Sequence, residues 1–242
     1  MIPKIIHYCW FGNKELPNSV KKNIDSWEKY CPDFEIKEWN EKNFDVNSNN
    51  FIAQAYKDKA WAFVSDYARL DVIYKYGGIY LDTDVEIIRN IDDLLKNHAF
   101  IGLQRRDLLC ASGLGIGAEP GNAAIKKMKD VYLNLDFDSF NNSDDIYDVS
   151  APQLNDSVIR KLGYVNNTST PVKLQSITVY PPTFFDPYSP GYVDDLMSES
   201  TYTIHHYDSS WLGYRKRIQR KVVQIVGQKK INKLKKYLSK FR

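Results

Sequence analysis

The sequence is poor in cysteine and has no long apolar run. Its three cysteines, at positions 9, 31 and 110 of 242 residues, are widely separated and form no Cys-x-x-Cys pair. That odd number argues against a disulfide framework. No stretch approaches the roughly 20 apolar residues that a membrane-spanning helix needs, and the first residues lack the long apolar core of a signal peptide. We therefore predict a cytoplasmic protein.

Hydrophobic residues, in contrast, are plentiful. They make up 43% of the sequence, with 14% aromatic residues, which suits one folded domain with a sizeable core. We assign residues 1–214 to this domain.

Charge is distributed unevenly along the chain. Residues 215–242 hold 12 lysines or arginines and no acid, so the first 214 residues carry 21 bases against 30 acids, a net charge of −9. We predict that 215–242 is a basic amphipathic helical segment lying on an anionic membrane surface, where each base contributes about 1 kcal/mol. The protein would then be peripheral on the inner face of the cell membrane. The alternative is a terminal helix packed on the domain through its apolar residues.

Strand and helix patterns alternate along the first 214 residues, which predicts an α/β domain with a mixed, mostly parallel central sheet. The strands are predicted at 4–10, 34–39, 79–81, 85–88, 99–103, 114–118, 172–180 and 201–207. The helices are predicted at 17–30, 51–56, 60–76 and 120–133, and residues 136–148 form a predicted flexible excursion.

Two aspartates, Asp82 and Asp84, follow the strand predicted at 79–81. Carboxylates with this spacing at the end of a strand can face one cation, and oxygen ligands suit Mg²⁺ or Mn²⁺, which also accept phosphate oxygens. Such an ion offsets the charge that builds on a departing nucleoside diphosphate. On its own, Asp-x-Asp is a short motif that mostly marks a solvated turn.

The helix before this strand adds a second polar group. Ser65, Asp66 and Arg69 share one face, because positions three and four apart are neighbours on a helix. Beside a sugar, Arg69 can anchor hydroxyls or phosphate, and Asp66 can accept hydroxyl hydrogens. The alternative is a surface ion pair worth roughly 0.2–0.5 kcal/mol.

The first strand ends in a histidine and aromatic residues, with His7, Trp10 and Phe11 close together. Ligands of open α/β sheets bind beyond the carboxyl ends of strands, and an aromatic ring there can stack on a nucleobase. His7 and Trp10 are therefore candidate nucleotide contacts. Ordinary core packing of the aromatic residues is equally compatible with the sequence.

The last predicted strand leads into a polar stretch that runs from His205 and His206 to Trp211. A histidine here can complete an octahedral metal site, and Ser210 or Trp211 can close over a diphosphate. Asp208 is a further possible oxygen ligand.

Two stretches are distinctive. They are Ile2-Pro3-Lys4-Ile5-Ile6-His7 followed by Trp10, and Ser65-Asp66-x-x-Arg69 followed by Tyr76-Gly77-Gly78-Ile79-Tyr80-Leu81-Asp82-x-Asp84. Together they resemble the sugar-binding region of glycosyltransferase family 32, and related patterns occur in capsular polysaccharide enzymes, fungal mannosyltransferases and the large clostridial glucosylating toxins. The second stretch is the specific one, since about ten positions agree in order and spacing.

The resemblance implies a Rossmann-like GT-A fold, a nucleotide-sugar donor, a Mn²⁺ or Mg²⁺ ion and retention of anomeric configuration. It implies that Trp10 stacks on the base and that Asp66 and Arg69 hold the donor sugar. Asp82 and Asp84 would bind metal and ribose, His206 the metal, and Ser210 and Trp211 the diphosphate. Family breadth favours a UDP-hexose over GDP-mannose.

We therefore expect a hexosyltransferase that acts on a glycan or lipid-linked oligosaccharide in bacterial surface polysaccharide synthesis. Where many relatives have Thr-Gly-Pro near the acceptor, this chain has Ser150-Ala151-Pro152. One alternative is a metal-dependent phosphatase or nuclease that uses the aspartate pair. Another is a nucleic-acid-binding protein led by the basic segment, which the acidic body disfavours.

Overall fold

The computed structural model describes residues 1–138, 150–189, 192 and 194–208. Its strands are β1 Ile5–Cys9, β2 Glu35–Trp39, β3 Gly78–Tyr80, β4 Val85–Ile87, β5 Ala99–Leu103, β6 Cys110–Ala118, β7 Val172–Lys173, β8 Thr178–Tyr180 and β9 Thr203–His205. Seven of them form a central sheet in the order β2-β1-β3-β6-β5-β8-β7, and β4 pairs with β9 in a separate ribbon.

The central sheet is mixed, as predicted. The pairs β1–β2, β1–β3 and β5–β8 are parallel, and the pairs β3–β6, β5–β6 and β7–β8 are antiparallel. Five of its seven strands therefore point the same way, and only β6 and β7 oppose them. The carboxyl ends of the parallel neighbours β1 and β3 lie together at one edge, where ligands of open α/β sheets bind.

Helices cover both faces of this sheet. They are α1 Asn18–Tyr30, α2 Asn50–Lys57, α3 Trp61–Tyr76, α4 Ala123–Val131, α5 Ala151–Lys161 and the short α6 Pro182–Phe185, with 3₁₀ turns at Asp92–Lys96 and Tyr132–Asn134. The helices α2 to α5 contribute to one apolar cluster and α1 and α6 to another. None of the described helices is long and apolar enough to cross a bilayer.

The central helix α3 ends where its sequence predicts. Gly77 follows its last residue with a φ of 68°, a conformation that favours glycine. A Cβ there would also lie 2.7 Å from Pro120 and 2.9 Å from the Ala118 carbonyl oxygen. The tight turn leads directly into β3, so that the polar face of α3 and the end of β3 lie in one place.

Several elements differ from the sequence-based prediction. The strand predicted at 172–180 is an antiparallel pair, β7 and β8, and the strand predicted at 201–207 is shortened to β9. The strand predicted at 114–118 begins earlier, at Cys110, and helices α5 and α6 were not predicted. The predicted helical segment 215–242 and most of the predicted excursion 136–148 lie outside the described residues.

Candidate active site

Asp82, Asp84 and His205 converge at the carboxyl end of β3. Each offers one ligand atom, and these atoms all lie within 4.8 Å of one another. Two carboxylate oxygens and one imidazole nitrogen suit a divalent cation that keeps further positions for phosphate oxygens and water. Within the described part of the chain, no other such group of histidine, cysteine or acidic side chains was found.

The ribbon of β4 and β9 places the histidine. Val85, the first residue of β4, pairs with His205, and the His206 N–H donates to the Asp84 carbonyl oxygen at 2.8 Å. Side chains alternate along a strand, so only one of the two adjacent histidines can face the aspartates.

His205 is that residue, and the sequence-based choice of His206 is corrected accordingly. The His205 Nε2 lies 3.0 Å from Asp84 Oδ1, whereas the His206 Nε2 lies 2.9 Å from Glu86 Oε2 on the outer face of the ribbon. The sequence identified the two histidines as candidates, but it does not show the strand register that turns their side chains in different directions.

Asp84 is held in its charged form. Burial opposes the charge of Asp84. The His205 ring and the Asp208 N–H outweigh burial and lower the pKa of Asp84 to about 2. The Asp208 N–H donates to Asp84 Oδ2 at 3.0 Å. Asp208, predicted as a possible oxygen ligand, thus contacts Asp84 through its backbone. Burial also opposes protonation of His205, but Asp84 outweighs it and raises the pKa of this imidazole.

Arg69 lies behind Asp82. Its Nη2 donates to Asp82 Oδ1 at 2.9 Å, its Nη1 lies 3.1 Å from Asp66 Oδ1, and its carbon Cζ is 4.9 Å from the centre of the Tyr80 ring. Arg69 is 5% exposed. Removal of such a buried cation would leave two carboxylates facing each other, at a cost of about 3–5 kcal/mol.

Asp66 sits between Arg69 and the start of α5. The Ala151 N–H bonds to this carboxylate, but burial prevails over that bond and over Arg69 and raises the pKa of Asp66 to about 6. The chain segment that replaces the relatives' Thr-Gly-Pro therefore contacts the candidate site through a backbone amide. The predicted roles of Asp66 and Arg69 in holding a donor sugar stay predictions.

Several residues of the site were not predicted. The Tyr80 hydroxyl donates to Asp82 Oδ1 at 3.1 Å, and Ser112 Oγ accepts from Arg69 Nη1 at 3.2 Å and from Asn155 Nδ2 at 3.0 Å. Ser112 and Asn155 come from β6 and α5, far from the Asp-x-Asp segment in sequence. Only Tyr80 had a signal, since it lies within the recognised block.

Gly113 makes room for the carboxylate of Asp82. A Cβ at this position would lie 2.1 Å from Asp82 Oδ2. The oxygen Oδ1 of Asp82 accepts from Arg69 and Tyr80, and Oδ2 lies against Gly113. Asp66 and Asp82 both contact the guanidinium of Arg69, and Asp84 contacts His205. Three neighbouring carboxylates fit a divalent cation.

His7 does not take part in this group, which corrects its predicted nucleotide contact. It is 0% exposed; the Trp39 Nε1–H donates to its Nδ1 at 3.0 Å, and its Nε2 lies 2.9 Å from the Gly77 carbonyl oxygen. Because the indole can only donate, His7 is neutral and donates from Nε2. Burial lowers the pKa of His7 to about 4.

Trp10 lies where the sequence placed it, just beyond β1. Its ring is partly buried against the cluster that contains α1, and its Nε1 donates to the Lys14 carbonyl oxygen at 2.6 Å. Trp10 thus has a structural role at the end of β1, and its stacking on a base stays a prediction. Ser210 and Trp211 lie outside the described residues.

Residues 17–101 match the sequence profile of a family described as “Glycosyltransferase sugar-binding region containing DXD motif”. The chain is 36% identical over 108 residues to inositol phosphoceramide mannosyltransferase 3 of Schizosaccharomyces pombe, covering 41% of this chain and 29% of that protein. It is 34% identical over 101 residues to the uncharacterized glycosyltransferase L373 of Acanthamoeba polyphaga mimivirus, covering 39% and 40%. The chain thus spans less than half the length of these relatives.

The fold also resembles a solved structure described as PaToxG Glycosyltransferase. The TM-score is 0.51 at 19% identity, over 66% of this chain and 68% of that one. The predicted GT-A type of fold is thereby confirmed, and the matched sequence region contains α3, β3 and both aspartates.

Proposed function

We propose, from the premise that this chain carries a glycosyltransferase sugar-binding region with a DXD motif on a GT-A fold, that it transfers a hexose from a nucleotide-sugar diphosphate to an acceptor glycan or lipid-linked oligosaccharide. The single observation that carries this proposal is the convergence of Asp82, Asp84 and His205 within 4.8 Å. Chains that only bind nucleic acid or act as scaffolds have no need of two carboxylates and an imidazole that converge in this way.

The residues of the chain divide the work of holding the donor. Asp82, Asp84 and His205 would hold Mn²⁺ or Mg²⁺, which supplies charge neutralisation for the departing diphosphate. Arg69 and Tyr80 fix Asp82 Oδ1, so that this carboxylate is already in place when the donor arrives. Asp66, next to the start of α5, accepts hydroxyl hydrogens of the sugar.

The ligand-binding roles of the loop residues complete the proposal. Trp10 stacks on the base, and Ser210 and Trp211 contact the diphosphate. A UDP-sugar is the favoured donor because of the family resemblance. The role in bacterial surface polysaccharide synthesis and the location at the inner face of the membrane stay predictions, supported by that resemblance and by the basic segment 215–242.

Transfer with retention is part of the same proposal. No nucleophile is assigned in this chain, so the acceptor hydroxyl attacks on the face from which the diphosphate leaves, and the leaving phosphate takes its proton. Assignment of the product anomer by NMR tests this step. An inverted product contradicts it.

A thermal-shift panel tests the donor and the ion together. Nucleotide sugars are added one by one, each with and without Mn²⁺, and a ligand that binds only the folded state raises the melting temperature. We expect one diphosphosugar to stabilise the chain strongly in the presence of Mn²⁺ and weakly in EDTA. Equal stabilisation in both conditions contradicts the role of the metal.

Asp84→Ala is the sharpest single test of the site. It removes the carboxylate that joins His205 to the Asp208 amide, so we expect transfer and Mn²⁺-dependent donor binding to fall at least about a hundredfold. Transfer is measured with radiolabelled donor, and circular dichroism checks the fold. Asp25→Ala, an exposed aspartate on α1, is the control and should behave as wild type.

A further inference from the structure

Asp186 is a buried carboxylate that the proposed function does not use. It follows α6, and its side chain is 0% exposed. Its Oδ2 accepts from the Arg105 N–H at 2.7 Å and from the Tyr207 hydroxyl at 2.6 Å. Its Oδ1 is buried and has no hydrogen-bond partner among the described residues. A buried oxygen without a partner costs free energy, so Asp186 is not an optimal choice for stability alone.

Tyr207, the partner of Asp186, carries a second local cost. Its φ is 54°, in the left-handed region that a residue with a side chain seldom adopts. Such conformations persist where the surrounding structure enforces them, and they cluster at ligand sites. This conformation turns the chain directly after β9 and presents the Tyr207 ring to His205, with ring centres 4.0 Å apart and planes at 66°.

His205 lacks the usual means of fixing a metal-binding imidazole. A ligating histidine normally donates its second ring N–H to a carboxylate or a backbone carbonyl, which sets the orientation of the ring. In the described structure the Nε2 of His205 faces Asp84, and its buried Nδ1 has no hydrogen-bond partner. The orientation of this ring must therefore come from packing, and Tyr207 is the aromatic ring in contact with it.

We propose that Asp186 is a positioning residue for the metal-binding site, acting through Tyr207, whose ring it locks against His205. The inference rests on the proposed function, since it assumes that His205 binds the ion. Asp186 holds the Tyr207 hydroxyl, Tyr207 holds the His205 ring, and His205 presents its nitrogen beside Asp84. Arg105 fixes the other end, because its backbone N–H binds Asp186 and its guanidinium donates to the Pro187 and Asp194 carbonyl oxygens at 3.1 and 2.8 Å.

The test measures Mn²⁺ binding by the full chain without any donor. The loss of the EPR signal of free Mn²⁺ gives the Kd for wild type, Tyr207→Phe, Asp186→Ala and the double variant. Tyr202→Phe is the matched control, since this tyrosine lies just before β9 but packs on Phe184 and Phe185. Thermal unfolding in EDTA reports separately whether each variant is folded.

We expect each single substitution to raise the Kd about tenfold, the typical effect of removing a group that orients a metal ligand. The Kd of the double variant should not exceed the higher Kd of the two single variants, because both changes break the same chain of contacts. Tyr202→Phe should bind as wild type does. Asp186→Leu, similar in shape to the aspartate, replaces Asp186→Ala if the latter does not fold.

The outcomes separate this inference from the proposed function. An unchanged Kd in Tyr207→Phe and in a folded Asp186 variant, in a chain that binds Mn²⁺, overturns the positioning role alone. Additive losses in the double variant overturn the shared chain of contacts. If wild type and Asp84→Ala both leave Mn²⁺ free, the metal site itself is refuted and the inference falls with it.

Discussion

Gly113 lies against the carboxylate of Asp82. The oxygen Oδ1 of Asp82 accepts from Arg69 and Tyr80, while Oδ2 lies where a side chain at position 113 would clash with it. The position of this carboxylate thus depends on a glycine of β6 as well as on the Asp-x-Asp segment.

Gly113→Ala should therefore displace Asp82. Its Cβ would lie 2.1 Å from Asp82 Oδ2, so the carboxylate must rotate away or β6 must shift. We expect Mn²⁺ binding about tenfold weaker, or worse, measured by EPR. Gly121→Ala is the control: its φ of 73° makes it strained, but nothing lies within 4 Å of the added atom. It should lower stability and leave the Kd unchanged; equal losses in both variants would contradict the steric explanation.

His7 makes the stability of the fold depend on pH. Burial lowers its pKa to about 4 in the folded chain, against about 6.5 when unfolded. Between these two pKa values the unfolded chain binds more protons than the folded chain does. The contribution of neutral His7 to the free energy of unfolding is therefore complete above about pH 6.5 and is lost as the pH falls towards 4.

Urea unfolding at pH 7 and pH 5 measures this contribution. From pH 7 to pH 5 we expect the free energy of unfolding of wild type to fall by about 2 kcal/mol more than that of His7→Gln, because the variant has no imidazole at position 7 to protonate. His98→Gln, at a position whose side chain is 77% exposed, should lose as much as wild type. If His7→Gln shows the same dependence on pH as wild type, the buried neutral state of His7 is wrong.

Among the elements, α1 supports the loop that carries Asp84. Asn23 Nδ2 donates to the Thr83 carbonyl oxygen at 2.8 Å, and Trp27 Nε1 donates to the Val85 carbonyl oxygen at 2.8 Å. One turn of α1 thus holds the backbone on either side of Asp84. Its apolar spacing predicted the helix, but not that its buried polar atoms would serve the loop.

Asn23→Ala should reveal this support. Losing one buried hydrogen bond costs about 1–3 kcal/mol of unfolding free energy, and we expect a several-fold higher Kd for Mn²⁺ because the loop loses a fixed point. Denaturant unfolding and EPR give the two quantities. Lys21→Ala, at an exposed position on the same helix, should change neither the unfolding free energy nor the Kd. If Asn23→Ala is less stable but has the Kd of wild type, Asn23 contributes to stability alone.

Local patterns predicted most elements because each has a signal within a few residues. The periodic apolar face and Gly77 predicted α3, and the alternating pattern predicted β1. Helix α5 was not predicted because its buried polar residues, Asn155 and Asp156, interrupt the apolar stripe. The hairpin of β7 and β8 was read as one strand, since its connection has no strong turn signal. Which of the two histidines joins the aspartates depends on the pairing of β9 with β4, a long-range contact that the neighbouring residues do not encode.

At the scale of the whole molecule, charge separates the chain into two parts. The first 214 residues carry a net charge of −9, and the 12 bases of 215–242 stand without an acid. An acidic domain is repelled by an anionic surface, so attachment to such a surface has to come from the basic segment.

Deletion of 215–242 should abolish binding to anionic vesicles. We expect wild type to sediment with vesicles that contain phosphatidylserine and to be released by high salt, because each base contributes about 1 kcal/mol. The truncated chain should stay in the supernatant and should keep its Mn²⁺-dependent thermal shift. Neutral phosphatidylcholine vesicles serve as the control. Equal sedimentation of both chains with anionic vesicles refutes the membrane role.

The ribbon of β4 and β9 has a consequence for the order in which the protein becomes competent. His205 contacts Asp84, although 121 positions separate them in the sequence. The backbone N–H groups of His206 and Asp208 donate hydrogen bonds to the same aspartate. During synthesis the two aspartates leave the ribosome long before the histidine does, and β4 has no strand partner among the described residues until β9 follows. We therefore expect the three-residue group to form only after β9 has been synthesised and has paired with β4.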